Sequence, residues 1–281
     1  MLRVLILIFL FCLHVFAKRI PVIHDGNDDS HIPHLKYIAS LQLANREEDF
    51  FCAGVFISSK TVLTLASCFY QNDVLLNPEE VKIVAGRGFR FEYDQNPFNG
   101  ILEEIILHEN FSRSSLENNI AVGILSADVP SNKNVEVLDI EDIASEAPNE
   151  GDKCEIFGWS LTTLFGSQHL LSGEVQIEAK DKCDNSGHKL TSATICAGPY
   201  YVNGCPTDDG SPLVCNKKLH GLIDIRPVGY CSMIITNRLG TYVDLSVYRE
   251  WIYEHANGNS ASILSSRIFL CLIAVFIAIF S

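Results

Sequence analysis

Eight cysteines place the strongest limit on what this chain can become. The sequence contains ten, but Cys12 and Cys271 sit inside apolar runs at the two ends. Cys52, Cys68, Cys154, Cys183, Cys196, Cys205, Cys215 and Cys231 remain between them. Residues 1–17 have the form of a secretory signal: Arg3, an apolar run over 4–16, and a small-residue cleavage site ending at Ala17, with Val15 two before it. That run is too short to span a bilayer. An even set of cysteines in an exported domain reads as a disulfide framework. Eight of them permit on the order of a hundred pairings, so spacing alone leaves the connectivity open.

The other end carries a second apolar run, residues 268–280. It is shorter than the roughly 20 apolar residues that a spanning helix needs. Arg267 precedes it, 260–267 is a mostly polar, small-residue spacer, and Asn259-Ser260-Ala261 supplies three small residues. Residues 257–281 therefore read as a GPI-attachment signal with Asn259 as the preferred site. A short membrane anchor and a plain tail are the alternatives. The expected location is extracellular, at the cell surface through a lipid.

Residues 18–256 are enough for one large all-β unit or two small barrels. Against 34 acids stand 21 basic residues, of which Arg3 and Arg267 leave with the ends, so the mature charge is roughly −15. Nucleic acid is excluded as a partner, since its binding needs a basic footprint. Attraction to an anionic membrane surface is excluded on the same ground. Asn110-Phe111-Ser112 is a glycosylation sequon, which in an exported chain predicts an exposed loop.

Residues 18–34 read as an extended polar arm. His24, His31 and His34 with Asp25, Asp28 and Asp29 fit no closed metal site, so neither metal nor cofactor is expected. From Lys36 onward the pattern is that of short strands: 37–43, 50–57, 61–66, 81–85, 101–107 and 118–125. Ser58-Ser59-Lys60 marks a hairpin. Residues 126–152 carry Pro130, Pro148, many acids and no aromatic residue, and read as a crossing segment. Strands resume at 153–159, 173–179, 193–197, 212–214, 219–225 and 240–243. Only 246–256 has a helical face, built from Tyr248, Trp251, Ile252 and His255. The pattern predicts an all-β protein of barrels with a C-terminal helix. The first barrel spans about 20–130 and the second about 145–256.

Several segments resemble the chymotrypsin-like serine proteases. Cys205-Pro-Thr-Asp-Asp-Gly-Ser-Pro-Leu-Val-Cys215 is similar to the nucleophile loop of that family, which usually contains Gly-Asp-Ser-Gly-Gly-Pro. Cys52-Ala-Gly-Val-Phe-Ile57 followed by Val62-Leu-Thr-Leu-Ala-Ser-Cys68 resembles Cys-Gly-Gly-Ser-Leu-Ile with Val-Leu-Thr-Ala-Ala-His-Cys. Asn118-Asn119-Ile120-Ala121-Val122 resembles Asn-Asp-Ile-Ala-Leu. Gly158-Trp159, Gly240-Thr241-Tyr242 and Trp251-Ile252 match the opening and closing parts of the family's second barrel. The resemblance covers about residues 20–256. It implies two six-stranded antiparallel β-barrels and the pairs Cys52–Cys68, Cys154–Cys215, Cys183–Cys196 and Cys205–Cys231.

The same resemblance implies that the family's chemistry is missing. Its catalytic histidine, aspartate and serine positions hold Ser67, Asn119 and Asp209. A hydroxyl cannot act as base near neutral pH, and an amide cannot stabilise an imidazolium. Thr207 stands where a glycine donates to the oxyanion, and its Cβ restricts the backbone there. A carboxylate at Asp209 about 4 Å from a developing oxyanion would repel it by roughly 4 kcal/mol at an effective dielectric near 20. Asp208 matches the aspartate that pairs with a freed N-terminus, yet Arg19-Ile20-Pro21-Val22-Ile23-His24-Asp25-Gly26 replaces Ile-Val-Gly-Gly. In the specificity pocket Asn203 replaces an aspartate, and Gly221-Leu-Ile-Asp-Ile-Arg226 replaces Gly-Ile-Val-Ser-Trp-Gly, so Arg226 projects where a glycine leaves the pocket open. His108 and His220 read as surface or structural. Asp208 and Asp209, adjacent in sequence, do not make the facing carboxylate pair of glycosidases. The expected function is that of a non-catalytic homologue binding an extracellular protein (a protease, an inhibitor or a receptor) as decoy, scaffold or regulator. An active endopeptidase with a displaced triad is the alternative.

Overall fold

The computed structural model describes residues 36–45, 50–86, 97–132, 134–159, 170–186, 190–198, 208–224 and 239–256. Within them two closed six-stranded antiparallel barrels form, as expected. The first is built from β1 (Ile38–Leu43), β2 (Phe50–Phe56), β3 (Thr61–Thr64), β6 (Val81–Ala85), β7 (Phe98–Leu107) and β8 (Ala121–Leu125). Around the barrel the order is β1-β2-β3-β8-β7-β6. The strands β4 (Tyr70–Gln71) and β5 (Val74–Leu75) stand outside it as a two-stranded ribbon. The second barrel is built from β9 (Lys153–Gly158), β10 (Leu171–Glu178), β11 (Thr194–Gly198), β12 (Pro212–Cys215), β13 (Lys218–Ile223) and β14 (Gly240–Asp244). Around it the order is β10-β11-β14-β13-β12-β9.

Composition explains why these runs become strands. Val62, Leu63, Val122, Ile124 and Leu125 are buried, and β8 is buried along its whole length. Such a run suits a strand enclosed on both sides, where β-branched side chains pack well. β7 is longer and half exposed, and it slips register between Leu102 and Glu104. A bulge of this kind lets a long strand bend around a small barrel. The second barrel encloses Ile156, Val175, Ile177, Ala197, Leu213, Ile223 and Tyr242.

Ile38, Phe50, Ala53, Phe157 and Trp159 make a further cluster with residues from both barrels. The Phe50 and Trp159 rings meet edge to face, 6.1 Å between centroids. The crossing segment is tied to both sides. Leu138 N–H donates to Phe56 O at 2.9 Å, and Ala144 N–H donates to Leu219 O at 2.9 Å. The helix is shorter than the sequence pattern predicts. Asp244 Oδ1 accepts from Ser246 N–H, Leu245–Tyr248 forms a 3-10 turn, and only Arg249–His255 is α-helical (α1). No described helix is long and apolar enough to cross a membrane.

Disulfides Cys52–Cys68, Cys154–Cys215 and Cys183–Cys196 are formed, closing separations of 16, 61 and 13 residues. Each such loop is worth roughly 2–4 kcal/mol in the chain-entropy account. Cys205 and Cys231 lie outside the described residues.

Candidate functional site

Ser67 lies in a 3-10 turn directly after β3, and Asn119 lies two residues before β8. Because β3 and β8 are paired neighbours, the two residues meet at the same end of the first barrel. Asn119 Oδ1 accepts from Ser67 N–H at 2.8 Å, and Asn119 Nδ2 donates to Ser67 Oγ at 3.0 Å. The same amide nitrogen donates to Asp224 Oδ1 at 3.2 Å. Asp224 follows β13 of the second barrel, so this contact joins residues 105 apart. Asn119 and Asp224 are 1% and 3% exposed. Burial favours a paired carboxylate over an isolated one, and Thr241 Oγ1 further holds the Asp224 backbone carbonyl at 2.7 Å.

Residues 208–211 pass between the barrels. Ala53 N–H donates to Asp209 O at 2.8 Å from the first barrel, and Gly210 N–H donates to Ile223 O at 2.9 Å in the second. Ser211 N–H closes the turn onto Asp208 O at 3.0 Å. Gly210 has φ +85°, and a Cβ there would overlap the Ala53 carbonyl and lie 2.6 Å from Thr64 Oγ1. Glycine is therefore required on two counts. The Asp208 side chain is fully buried, and its Oδ1 accepts from Trp159 N–H at 3.1 Å. It lies so close to Gly158 that a Cβ there would collide with its carboxylate.

The structure thus brings Ser67, Asn119, Asp208 and Asp209 to the junction of the barrels. It adds Asp224, which sequence reasoning did not single out. The signal was a carboxylate at position 224, where the resembled family carries a serine. Asn203, Thr207, Arg226 and Asn259 lie outside the described residues, as does the histidine-rich arm. Asn110 is exposed in the turn after β7, its backbone N–H donating to His108 Nδ1 at 3.2 Å.

The three described histidines lie directly after β7 (His108), on β13 (His220) and at the end of α1 (His255). His108 packs against Tyr248 and Trp251, each 5.4 Å away between ring centroids. Burial, with a smaller effect from His255 and against Glu109, holds its imidazole below the ordinary 6.5. His255 stacks on Trp251 at 4.3 Å, its Nδ1 2.7 Å from the Trp251 carbonyl. Burial also lowers the His220 imidazole, whose Nδ1 has no hydrogen-bond partner among the described residues. In the second barrel, burial raises the Tyr242 hydroxyl strongly, and it too lacks such a partner. Among the described residues no group of three His, Cys, Asp or Glu could hold a metal ion. What the cluster offers is hydrogen-bonding amide, hydroxyl and carboxylate groups.

Comparison with known proteins gives a consistent set. The family model described as Trypsin matches residues 23–252. Trypsin zeta of Drosophila erecta is 30% identical over 213 residues, covering 72% of this chain and 72% of the relative. Trypsin eta of Drosophila melanogaster is 26% identical and covers 89% of this chain and 95% of the relative. Among solved structures, a human heparin-binding protein superposes with a TM-score of 0.65 at 21% identity, over 80% of this chain and 93% of its own. That last likeness concerns the fold.

Proposed function

The chain belongs to the trypsin family of serine proteases, and from that premise we propose that it is a catalytically silent member that works by binding. The reading rests on one observation above all. Where the reaction needs an imidazole between a hydroxyl and a carboxylate, Ser67 and Asn119 are hydrogen-bonded directly to each other. Neither can take a proton from a nucleophile at neutral pH. At the nucleophile position Asp209 is acceptor-only when ionised, and its attack on an acyl group would give an anhydride with no base to assist. The retained framework supports a role in recognition: among the described residues, two barrels, three disulfides, and a loop pinned between the barrels.

In this reading the protein is secreted, as members of the family typically are. It is held at the cell surface through its C-terminal segment, with a GPI lipid at Asn259, and it carries a glycan on the exposed Asn110. Its partner is an extracellular protein, namely a true protease, a protease inhibitor or a receptor, for which it acts as decoy, scaffold or regulator. Insect-type secreted homologues of this kind supply a family-level analogy.

A fluorophosphonate probe on the purified protein tests the reading, and no labelling is expected. Labelling of any serine would favour an active endopeptidase with a displaced triad. Asp209→Ser alone is expected to stay inert, because residue 67 still offers no base. Peptide cleavage by that variant would refute the assignment. Phosphatidylinositol-specific phospholipase should release the protein from cells, and Asn110→Gln should remove one glycan's mass. A pull-down from native tissue would identify the partner.

A further inference from the structure

The first barrel has two distinguishable ends, and they define how a tethered molecule stands. In the β3–β8 pair, Thr64 faces Ala121 at one end and Thr61 faces Ile124 at the other. Ser67 and Asn119 lie just past the first end. Past the second lie the turn at 58–60 and the end of α1. Thr61 Oγ1, fully buried, donates to the Ala256 carbonyl at 2.6 Å, and Leu125 N–H donates to Lys60 O at 2.7 Å.

Helix α1 connects the same two ends. Before its start, the Tyr248 hydroxyl donates to Asn118 Oδ1 at 3.2 Å, one residue from Asn119. The residue after its finish is Ala256, held by Thr61. Seven helical residues cover about 10 Å, which matches the roughly 10 Å of a four-residue strand. Strand and helix therefore agree on the direction. The chain leaves the described body at the end of the barrel away from Ser67, Asn119 and Asp209.

Only three residue steps separate Ala256 from Asn259, which is at most about 10 Å of chain. We propose that the tethered molecule stands with the turn at 58–60 toward the bilayer and the Ser67–Asn119–Asp209 junction at the far end, facing soluble or opposing-cell partners. This rests on the surface-tethered reading above with the lipid at Asn259, since a membrane anchor starting at residue 268 would leave a tether of about 40 Å. The opposite orientation has its own attraction. Val74 and Leu75 on the β5 ribbon are 67% and 45% exposed, an apolar tip that would suit a bilayer. That ribbon follows the Ser67 turn, however, and so belongs to the end away from the exit.

The test places a donor dye on the full chain displayed on cells, at Lys60→Cys in one variant and Val74→Cys in another, with an acceptor lipid in the outer leaflet. Energy transfer from position 60 is expected to be roughly twofold greater than from position 74, the two being at least a strand length of about 10 Å apart in height. Equal transfer, or greater transfer from position 74, would overturn the orientation while leaving the anchor intact. Protein found in the medium instead of on cells would overturn the anchor, and the orientation with it. Should either variant fail to reach the surface, Ser59→Cys and Ser114→Cys report the same two ends.

Discussion

The two halves of the junction between the barrels differ in what holds them. The segment 208–211 is fixed through its backbone, with carbonyl and amide groups bonded to Ala53 on one side and Ile223 on the other. Its glycine has no room for a side chain, and its buried Asp208 is received by the Trp159 amide. The Ser67–Asn119–Asp224 half is joined through one side chain, that of Asn119, which bonds the Ser67 backbone N–H and hydroxyl on one side and the Asp224 carboxylate on the other. A backbone-determined loop resists substitution because every neighbour must move with it. A side-chain network can exchange its members one at a time provided hydrogen bonding stays satisfied. In the proposed reading both halves have departed from the family, with Asp209 at the nucleophile position and Asn119 at the aspartate position, and a carboxylate stands across the junction from residue 119 at 224.

Substitutions at positions 210, 119, 224 and 67 can break or sharpen that contrast. The largest effect should come from Gly210→Ala, which combines a positive φ with a clash against backbone. We expect a loss of roughly 3 kcal/mol or more in chemical denaturation. A loss under about 1 kcal/mol would mean that the loop is not backbone-determined. Next, Asn119→Ala strips the buried Asp224 of a donor and should cost about 1–3 kcal/mol. In a double-mutant cycle with Asp224→Ala the two should couple by about 0.5–3 kcal/mol. Additivity would dissolve the network. Ser67→Ala, at a half-buried position, should cost no more than about 1 kcal/mol.

The smallest effect concerns pH. The folded state holds the imidazoles of His108 and His220 below 6.5, chiefly by burial. The unfolded chain therefore binds more protons as pH falls through 6.5, and stability falls with it. Tm should be lower at pH 5.5 than at 7.5, and a His108→Asn, His220→Asn double variant should show a shallower decline. An unchanged slope would place the acid sensitivity elsewhere.

Much of this was legible in the sequence, and the parts that were not have physical reasons. Strands such as β6 and β8 declared themselves through unbroken or alternating apolar residues, and the crossing segment through its acids and prolines. The β4–β5 ribbon escaped because two-residue strands leave no periodicity. Its only local sign is Asn72-Asp73, both at positive φ, the kind of residue that turns tolerate. The sequence pattern extends the helix too far because a 3-10 first turn has nearly the same spacing of apolar residues as an α-helical one. Ser67, Asn119 and Asp209 were found from local motifs. The role of Asp224 is not local, since it appears only once a residue 105 positions earlier is brought beside it.

The placement of the two tryptophans has a practical consequence for spectroscopy. Trp159 and Trp251 are the only ones in the chain. Trp159 is buried in the cluster shared by the barrels, with its amide on Asp208. Trp251 lies between His108 and His255 on the closing helix, its indole N–H donating to Glu109 at 3.2 Å. Intrinsic fluorescence therefore carries two separable signals. A Trp251→Phe variant would report the parting of the barrels, and a Trp159→Phe variant the lifting of the helix, so ligand-induced motion of either could be followed without an added label.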